Sequence, residues 1–477
     1  MTATSGTAVG MEEEDAQQYS AVMTIRPLVA LGCSLGLLTA VPLAQAPQAP
    51  APITVPYTEF TLANGLHVIL HRDATVPVAA VNVWYHVGSG REKPGRTGFA
   101  HLFEHVMFEG SEHVAEGQFD SWLEAAGGSN NGSTSEDRTN YVTDVPSNAL
   151  ELALFLESDR MGYLLPTLTQ GKLDGQRDVV KNEKRQRVDN APYGQAFVEL
   201  ATMLYPKGHP YSWPVIGSME DLSAAQLDDV REFFTTYYAP NNASLVIAGD
   251  IDIAQTRALV EKWFSAIPRG KDVPPLVTQP VQLEGVVRRT ITDRVQLPRL
   301  YMAWHTPAFY APGDAAMDMV GGLLTGGKNS RLYKRLVYEL QMAQDVFAAQ
   351  QSSALGSTFL VVATARPGQS LEKIQAIIDE EIARLQQQPP DAREMTRVLN
   401  QTEASFYRRM ERTAGFGGKA DQLNGYYVAT GMPDFFEEDL ARYRALSPTD
   451  IRSAAARFLP ATRRVELSVM PATPAGK

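Results

Sequence analysis

His101-Leu-Phe-Glu-His105 places two imidazoles and a carboxylate within one short apolar run, Gly98-Phe-Ala-His-Leu-Phe-Glu-His-Val-Met-Phe108. On a helix, His101 and His105 stand one turn apart on the same face, close enough to hold one metal ion between them. Glu104 follows His101 by three residues and reaches the edge of that face. Neutral imidazoles suit zinc, and a free carboxylate beside such an ion suits hydrolysis, because it can take a proton from the attacking water. The pattern is H-x-x-E-H. Ordinary packing is the competing reading, since histidines on an apolar helix face are often simply buried, so the rest of the chain must supply a further ligand and a frame.

The frame is large. A chain of 477 residues exceeds one ordinary core and predicts at least two domains. Its 44% apolar and 20% charged residues are those of a globular protein. A net charge of −11 without a basic patch argues against nucleic acid as a partner.

Residues 1–22 are polar and acidic, with Met11-Glu-Glu-Glu-Asp15. From Met23 the chain reads as a secretory signal: Arg26 in the n-region, Leu28 to Leu43 as the apolar stretch, and Ala44-Gln45-Ala46 as the cleavage site. On this reading residues 1–22 are an over-extended reading frame and 1–46 precede the mature protein. Cys33, the only cysteine, lies inside the signal, which leaves no disulfide and no thiolate ligand afterwards. An exported, periplasmic protein of a Gram-negative cell fits, anchored to the membrane if the signal is retained. Residues 47–56 form a Pro-rich linker.

Phe60 to Leu70 reads as two strands turned at Asn64-Gly65, and Pro77 to Val87 as a strand buried on both faces. After the motif helix, a second helix over Glu116 to Ala126 stops at Gly127-Gly128. Asn130 to Val145 alternates polar and apolar residues like one edge strand. Helices are expected at 148–161 and 171–188, the latter bearing Glu183. Leu222 to Phe234 reads as one amphipathic helix behind a serine cap, leading to a strand at 243–248.

The second half repeats this plan. Leu300 to His305 echoes Asn82 to His86, and Leu446 to Met470 echoes Leu222 to Ala248. Residues 268–285 are Pro-rich and aperiodic, a linker between 57–267 and 286–477. The expected fold class is α+β: two homologous domains, each an antiparallel sheet with helices packed on one side. Where the motif helix should recur, Ala315 to Leu324 carries no H-x-x-E-H. Gly322 to Asn329 nearly matches a phosphate loop, but Asn329 replaces the magnesium-binding hydroxyl and a helix precedes it. Glu109, Glu112 and His113 fall after a Gly110-Ser111 step that should end the helix, so they read as a solvated loop.

With motif, repeat and export signal together, the chain resembles the pitrilysin/insulinase-type zinc peptidases, in length the two-chain class that includes the mitochondrial processing peptidase. The likeness is carried by Thr97 to Gly110, Gly127 to Tyr141, Arg177 to Glu183 and Gly208-His-Pro-Tyr211. It implies one zinc per chain, with Glu183 as third ligand beside His101 and His105. Three protein ligands leave the fourth position of a catalytic tetrahedron open. It implies Glu104 as proton acceptor and donor in peptide hydrolysis. It further implies that the strand holding Asn131 and Thr134 binds substrate by strand addition, Asn131 hydrogen-bonding the peptide backbone. Paired chains would close as a clamshell around a chamber that admits peptides and unfolded segments.

Two departures stand out. Gln176 occupies a position where the resemblance leads one to expect glutamate. The Arg and Tyr that stabilise the oxyanion in active members correspond here to Val337 and Gln344, aligned through Ser330-Arg-Leu-Tyr333. The expected arrangement is a heterodimer in which a homologous chain without zinc supplies that pair, with a homodimer or a non-catalytic scaffold as the alternatives.

Overall fold

A computed structural model of the chain describes residues 52–472. The expected signal and the start of the first linker lie outside the described residues. The first half opens with β1 (Thr58–Thr61), β2 (His67–Arg72) and β3 (Val78–Tyr85). Helices α1 (Phe99–Val106) and α2 (Gln118–Ala125) come next, then β4 (Ser129–Thr134) and β5 (Thr139–Pro146). Helices α3 (Leu150–Tyr163), α4 (Gln170–Lys184), α5 (Ala196–Leu204), α6 (Met219–Ala224) and α7 (Leu227–Tyr237) precede β6 (Ala243–Gly249) and α8 (Ile253–Phe264).

The second half runs β7 (Val286–Asp293), β8 (Arg299–Thr306), α9 (Asp314–Thr325), β9 (Ala343–Gln351) and β10 (Ser357–Ala365). It continues with α10 (Leu371–Gln387), α11 (Ala392–Met410), α12 (Lys419–Thr430), α13 (Phe436–Arg444) and α14 (Pro448–Phe458), and ends on β11 (Arg464–Pro471).

Two sheets result, ordered β1-β2-β6-β3-β5-β4 and β7-β11-β8-β10-β9. The order β2-β6-β3-β5-β4 matches the whole second sheet strand for strand, so the repeat seen in the sequence is a repeat of topology. Both sheets are antiparallel except for one parallel pair each, β2 with β6 and β7 with β11. The last strand of each sheet arrives by way of a helix, α7 or α14, and such crossovers are what parallel pairs require.

One face of the first sheet (Val68, Leu70, Val81, Val83, Leu245, Ile247) packs on Phe103, Leu154 and Val260 of its own helices. The opposite face is covered from the other half: Ile69, Ala80, Val246 and Ala248 meet Phe406 of α11 and Leu423 and Tyr426 of α12. The second sheet is treated in the same way, with Tyr301, Ala303, Leu360 and Leu467 against Leu200, Met203 and Leu204 of α5. Helices on one side thus describes each half's own contribution; helices of the second half, among them α11 and α12, and α5 of the first half fill the other sides. This explains why β3 is buried along nearly its whole length.

Three local expectations change. Asn130 to Val145 is two strands, because Ser135 Oγ accepts the N–H groups of Asp137 and Arg138 and closes a turn without glycine or proline. Residues 219–237 form two helices, broken where Gln226 and Asp229 cap each other reciprocally; Ser218, not Ser223, caps the first. Helix α5 was not expected at all. The Asn64-Gly65 turn holds, with Gly65 at φ +94° and the Asn64 amide tied to the carbonyls of Phe264 and Ile267. Among the described residues no helix is long and apolar enough to cross a membrane.

Candidate metal centre

Helix α1 buries Phe99, Leu102, Phe103 and Val106 and turns its other face, with His101, Glu104 and His105, toward α4 and β4. Helix α4 anchors itself through Leu173 and Val180 and brings Glu183 across from below. Glu183 Oε2 lies 3.7 Å from His101 Nε2 and 3.2 Å from His105 Nε2. One donor atom from each residue falls within 4.8 Å of the other two. A tetrahedral zinc with bonds of about 2.0–2.1 Å needs donors about 3.4 Å apart, and the two glutamate–histidine separations bracket that value.

The charge states fit too. Burial, then the neighbouring His105, pulls His101 down to about 4, which leaves the imidazole neutral and able to ligate. Glu183 is held below the ordinary carboxylate range, first by its hydrogen bond with His105. Its other oxygen, Oε1, takes the Arg187 guanidinium at 2.6 Å, so each oxygen has its own partner and Oε2 faces the imidazoles. Arg187 sits in a π-helical turn, Arg185–Asp189, that continues α4. Such turns are frequent at functional sites.

Glu104 is not part of the ligand cluster. Burial raises its carboxyl above the ordinary value, and the Thr134 hydroxyl, donating to Oε2 at 2.6 Å, pulls the other way. Strand β4 therefore orients Glu104 through Thr134. Along β4, Asn130 and Thr134 point toward the helices, Asn130 donating to Asp120 of α2. Ser133 points to the opposite face, toward Asn140. Asn131 shares the alternation of Ser133, and its Oδ1 accepts the N–H of Gly132. β4 is the outermost strand, so its free edge lies beside the site. A cavity of about 260 Å³ opens there, lined by Glu104, His105, Phe108, Asp120, Asn130, Asn131 and Gly132.

Gln176 donates to Glu109 at 2.5 Å, and neither belongs to the ligand cluster. His113 is taken up by Asp159 at 2.6 Å. The Gly322 to Asn329 segment ends α9 instead of opening a helix, as Gly326 caps its C-terminus. In the second half, Val337 is half-buried in a π-helical stretch, Tyr333–Glu339, and Gln344 is exposed on β9. Arg335 is engaged by Glu380 and Glu381, and Tyr338 is 75% exposed. None of these four forms an Arg/Tyr pair at the expected register. Sequence reasoning missed Thr134 as the partner of Glu104, a contact between residues 30 apart, and Arg187, although an i,i+4 Glu–Arg spacing was there to be read.

Residues 67–209 match the insulinase family (peptidase family M16), and residues 224–402 match the peptidase M16 inactive domain. The chain belongs to this family of zinc peptidases and their relatives. It is 30% identical over 362 residues to the zinc protease PqqE of Helicobacter pylori, covering 75% of this chain and 81% of that protein. The crystal structure of a protease from Helicobacter pylori superposes with a TM-score of 0.82 at 27% identity, over 88% of this chain and all of that one. The periplasmic protease PqqL from Escherichia coli has the same fold, with a TM-score of 0.72 at 18% identity; 89% of this chain accounts for 50% of its length.

Proposed function

We propose that this chain is the zinc-bearing subunit of a two-chain endopeptidase that hydrolyses peptides or unfolded segments inside a closed chamber. The observation that carries the proposal is the convergence of His101 Nε2, His105 Nε2 and Glu183 Oε2, with Glu104 held beside them on a separate hydrogen bond. His101, His105 and Glu183 would hold one zinc per chain, which would supply the Lewis acidity that polarises a peptide carbonyl and acidifies water. Glu104 accepts a proton from the attacking water and returns it to the leaving amine, a task its raised proton affinity suits. The free edge of β4 takes the substrate as an added strand, with Asn131 and Thr134 among the residues that line its path.

Val337 and Gln344 supply neither a cation nor a phenol, so the oxyanion is stabilised by a homologous partner that carries Arg and Tyr there. That PqqL holds two such lengths in one chain is consistent with pairing. The segment from Met23 to Ala46 and the PqqL likeness support export to the periplasm. The missing pair also favours a second reading, a peptide-binding scaffold of the same fold. The test is turnover of a quenched peptide by the zinc-loaded chain, alone and with a homologous Arg/Tyr-bearing chain. Turnover only in the mixture is expected. Full turnover by the single chain, retained after Gln344→Ala, overturns the two-chain reading, and no turnover in either case favours the scaffold.

A further inference from the structure

The start of α1 is built differently from an ordinary helix start. Its N-cap, Gly98, has φ +89° and no side chain to offer. It cannot gain one, because a Cβ there would lie 2.8 Å from the carbonyl oxygen of Ile216, in a backbone conformation that other residues adopt only with strain. The first N–H groups of the helix therefore need an acceptor from elsewhere. Glu92 provides it: Oε2 accepts from Gly98 N at 2.9 Å and Oε1 from Ala100 N at 2.8 Å.

Glu92 is buried, and among the described residues no lysine, arginine or histidine forms an ion pair with it. Burial pushes its carboxyl up to about 8, against the opposing pull of the Ala100, Gly98 and Phe99 amides at the start of the helix. Its own N–H is tied to Ser89 O at 3.1 Å, so the cap is itself fixed. One residue before Gly98, Asp221 accepts from Thr97 N at 3.0 Å and from the Thr97 hydroxyl, and that hydroxyl accepts from Ser218 N at 3.1 Å. Two acidic side chains, Glu92 and Asp221, thus hold the entry of a two-turn helix.

We infer that Glu92 is a positioning residue for the metal centre: by capping α1 from a distance it sets the rotation of the helix, and so the direction of the His101 and His105 imidazoles toward Glu183. The inference rests on the metal reading of the site given above. The leverage is large. Side-chain tips lie about 6 Å from a helix axis, so a 10° rotation moves an imidazole nitrogen by about 1 Å. Metal ligands tolerate about 0.2 Å. A cap that merely added stability would not need this accuracy.

The experiment measures zinc affinity by chelator competition, and metal-free thermal unfolding, for the full chain, Glu92→Gln and Glu92→Asp. Gln keeps one acceptor and turns an amide N–H₂ against a backbone N–H; Asp keeps the carboxyl group and loses the reach. Both variants, or Asp alone if Gln fails to fold, should bind zinc about 10- to 100-fold more weakly at a temperature where the metal-free protein is fully folded. A variant that melts earlier yet binds zinc within twofold of the parent overturns the inference and makes Glu92 a structural cap only. A parent chain that is folded and binds no zinc overturns the metal reading itself, a distinct result.

Discussion

Breaking the ion pair between Lys419 and Asp73 should loosen the attachment of α12 to the first sheet. Asp73 follows β2 in the first half, Lys419 opens α12 in the second, and their side chains are 12% and 14% exposed. Asp73 also accepts from Thr75 N at 3.2 Å, from Thr75 Oγ1 at 2.7 Å and from Thr413 Oγ1 at 3.4 Å. Burial pushes the carboxyl up, but the bonds from Lys419 and Thr75 prevail and hold it well below its ordinary 3.8. The folded-state pKa is depressed, so this stabilisation is present above about pH 4 and fades as the pH falls toward the folded value. Lys419→Met leaves a nearly buried carboxylate without its cation, at a cost of about 3 kcal/mol. Over the roughly 420 described residues, an unfolding entropy of about 0.9 kcal/mol/K converts this to a fall of about 3 °C in Tm. Calorimetry of the metal-free protein at pH 7 should show that fall, a partial recovery in the Asp73→Asn, Lys419→Met double variant, and a narrowing gap below pH 4. A variant melting within half a degree of the parent at pH 7, or a gap that widens on acidification, would refute the reasoning.

Thr134→Val removes the hydroxyl that orients Glu104. Because hydrogen bonds to charged groups contribute about 1.5–3 kcal/mol, kcat/KM of the active assembly should fall about 10- to 100-fold with zinc content unchanged. Loss of zinc together with activity would show that β4 supports the ligands, not Glu104. Asp318 of α9 tests the opposite sign of pH dependence. Burial raises its carboxyl to about 6 despite the hydrogen bond from Tyr443. Its contribution is complete below about pH 4 and lost as the pH rises through about 6. Asp318→Asn should therefore be more stable than the parent at pH 8, by about 1–2 kcal/mol, and lose that advantage at pH 4. A constant offset at both pH values would contradict this.

Much of the frame is written in local patterns. The apolar face of α1, the continuous apolar run of β3 and the Asn64-Gly65 turn obey local rules that need no tertiary information. The Ser447 cap of α14, closed reciprocally by Asp450, is as legible as the strand that follows it. What escaped notice depends on contacts distant in sequence or on turns without marker residues. The Ser135–Arg138 turn closes through a serine side chain, so β4 and β5 read as one strand. Helix α5, Ala-Phe-Val-Glu-Leu-Ala-Thr-Met-Leu, is apolar on most sides because it lies against the sheet of the other half, and such short apolar runs carry no period that separates helix from strand. The pairing of His101 with His105 could be read from spacing alone, whereas Glu183, 78 positions beyond His105, came through family likeness and now through geometry. The Glu92 cap was hidden because a glycine at the N-cap gives no sign of where its acceptor comes from.

The central claim is that His101, His105 and Glu183 form one zinc site. Metal analysis of the purified, folded chain, before and after His105→Ala, tests it most directly. About one zinc per parent chain is expected, falling to background in the variant while its circular dichroism stays that of a folded protein. A folded parent that holds no zinc when offered it, or a His105→Ala chain that still holds one, would contradict the account.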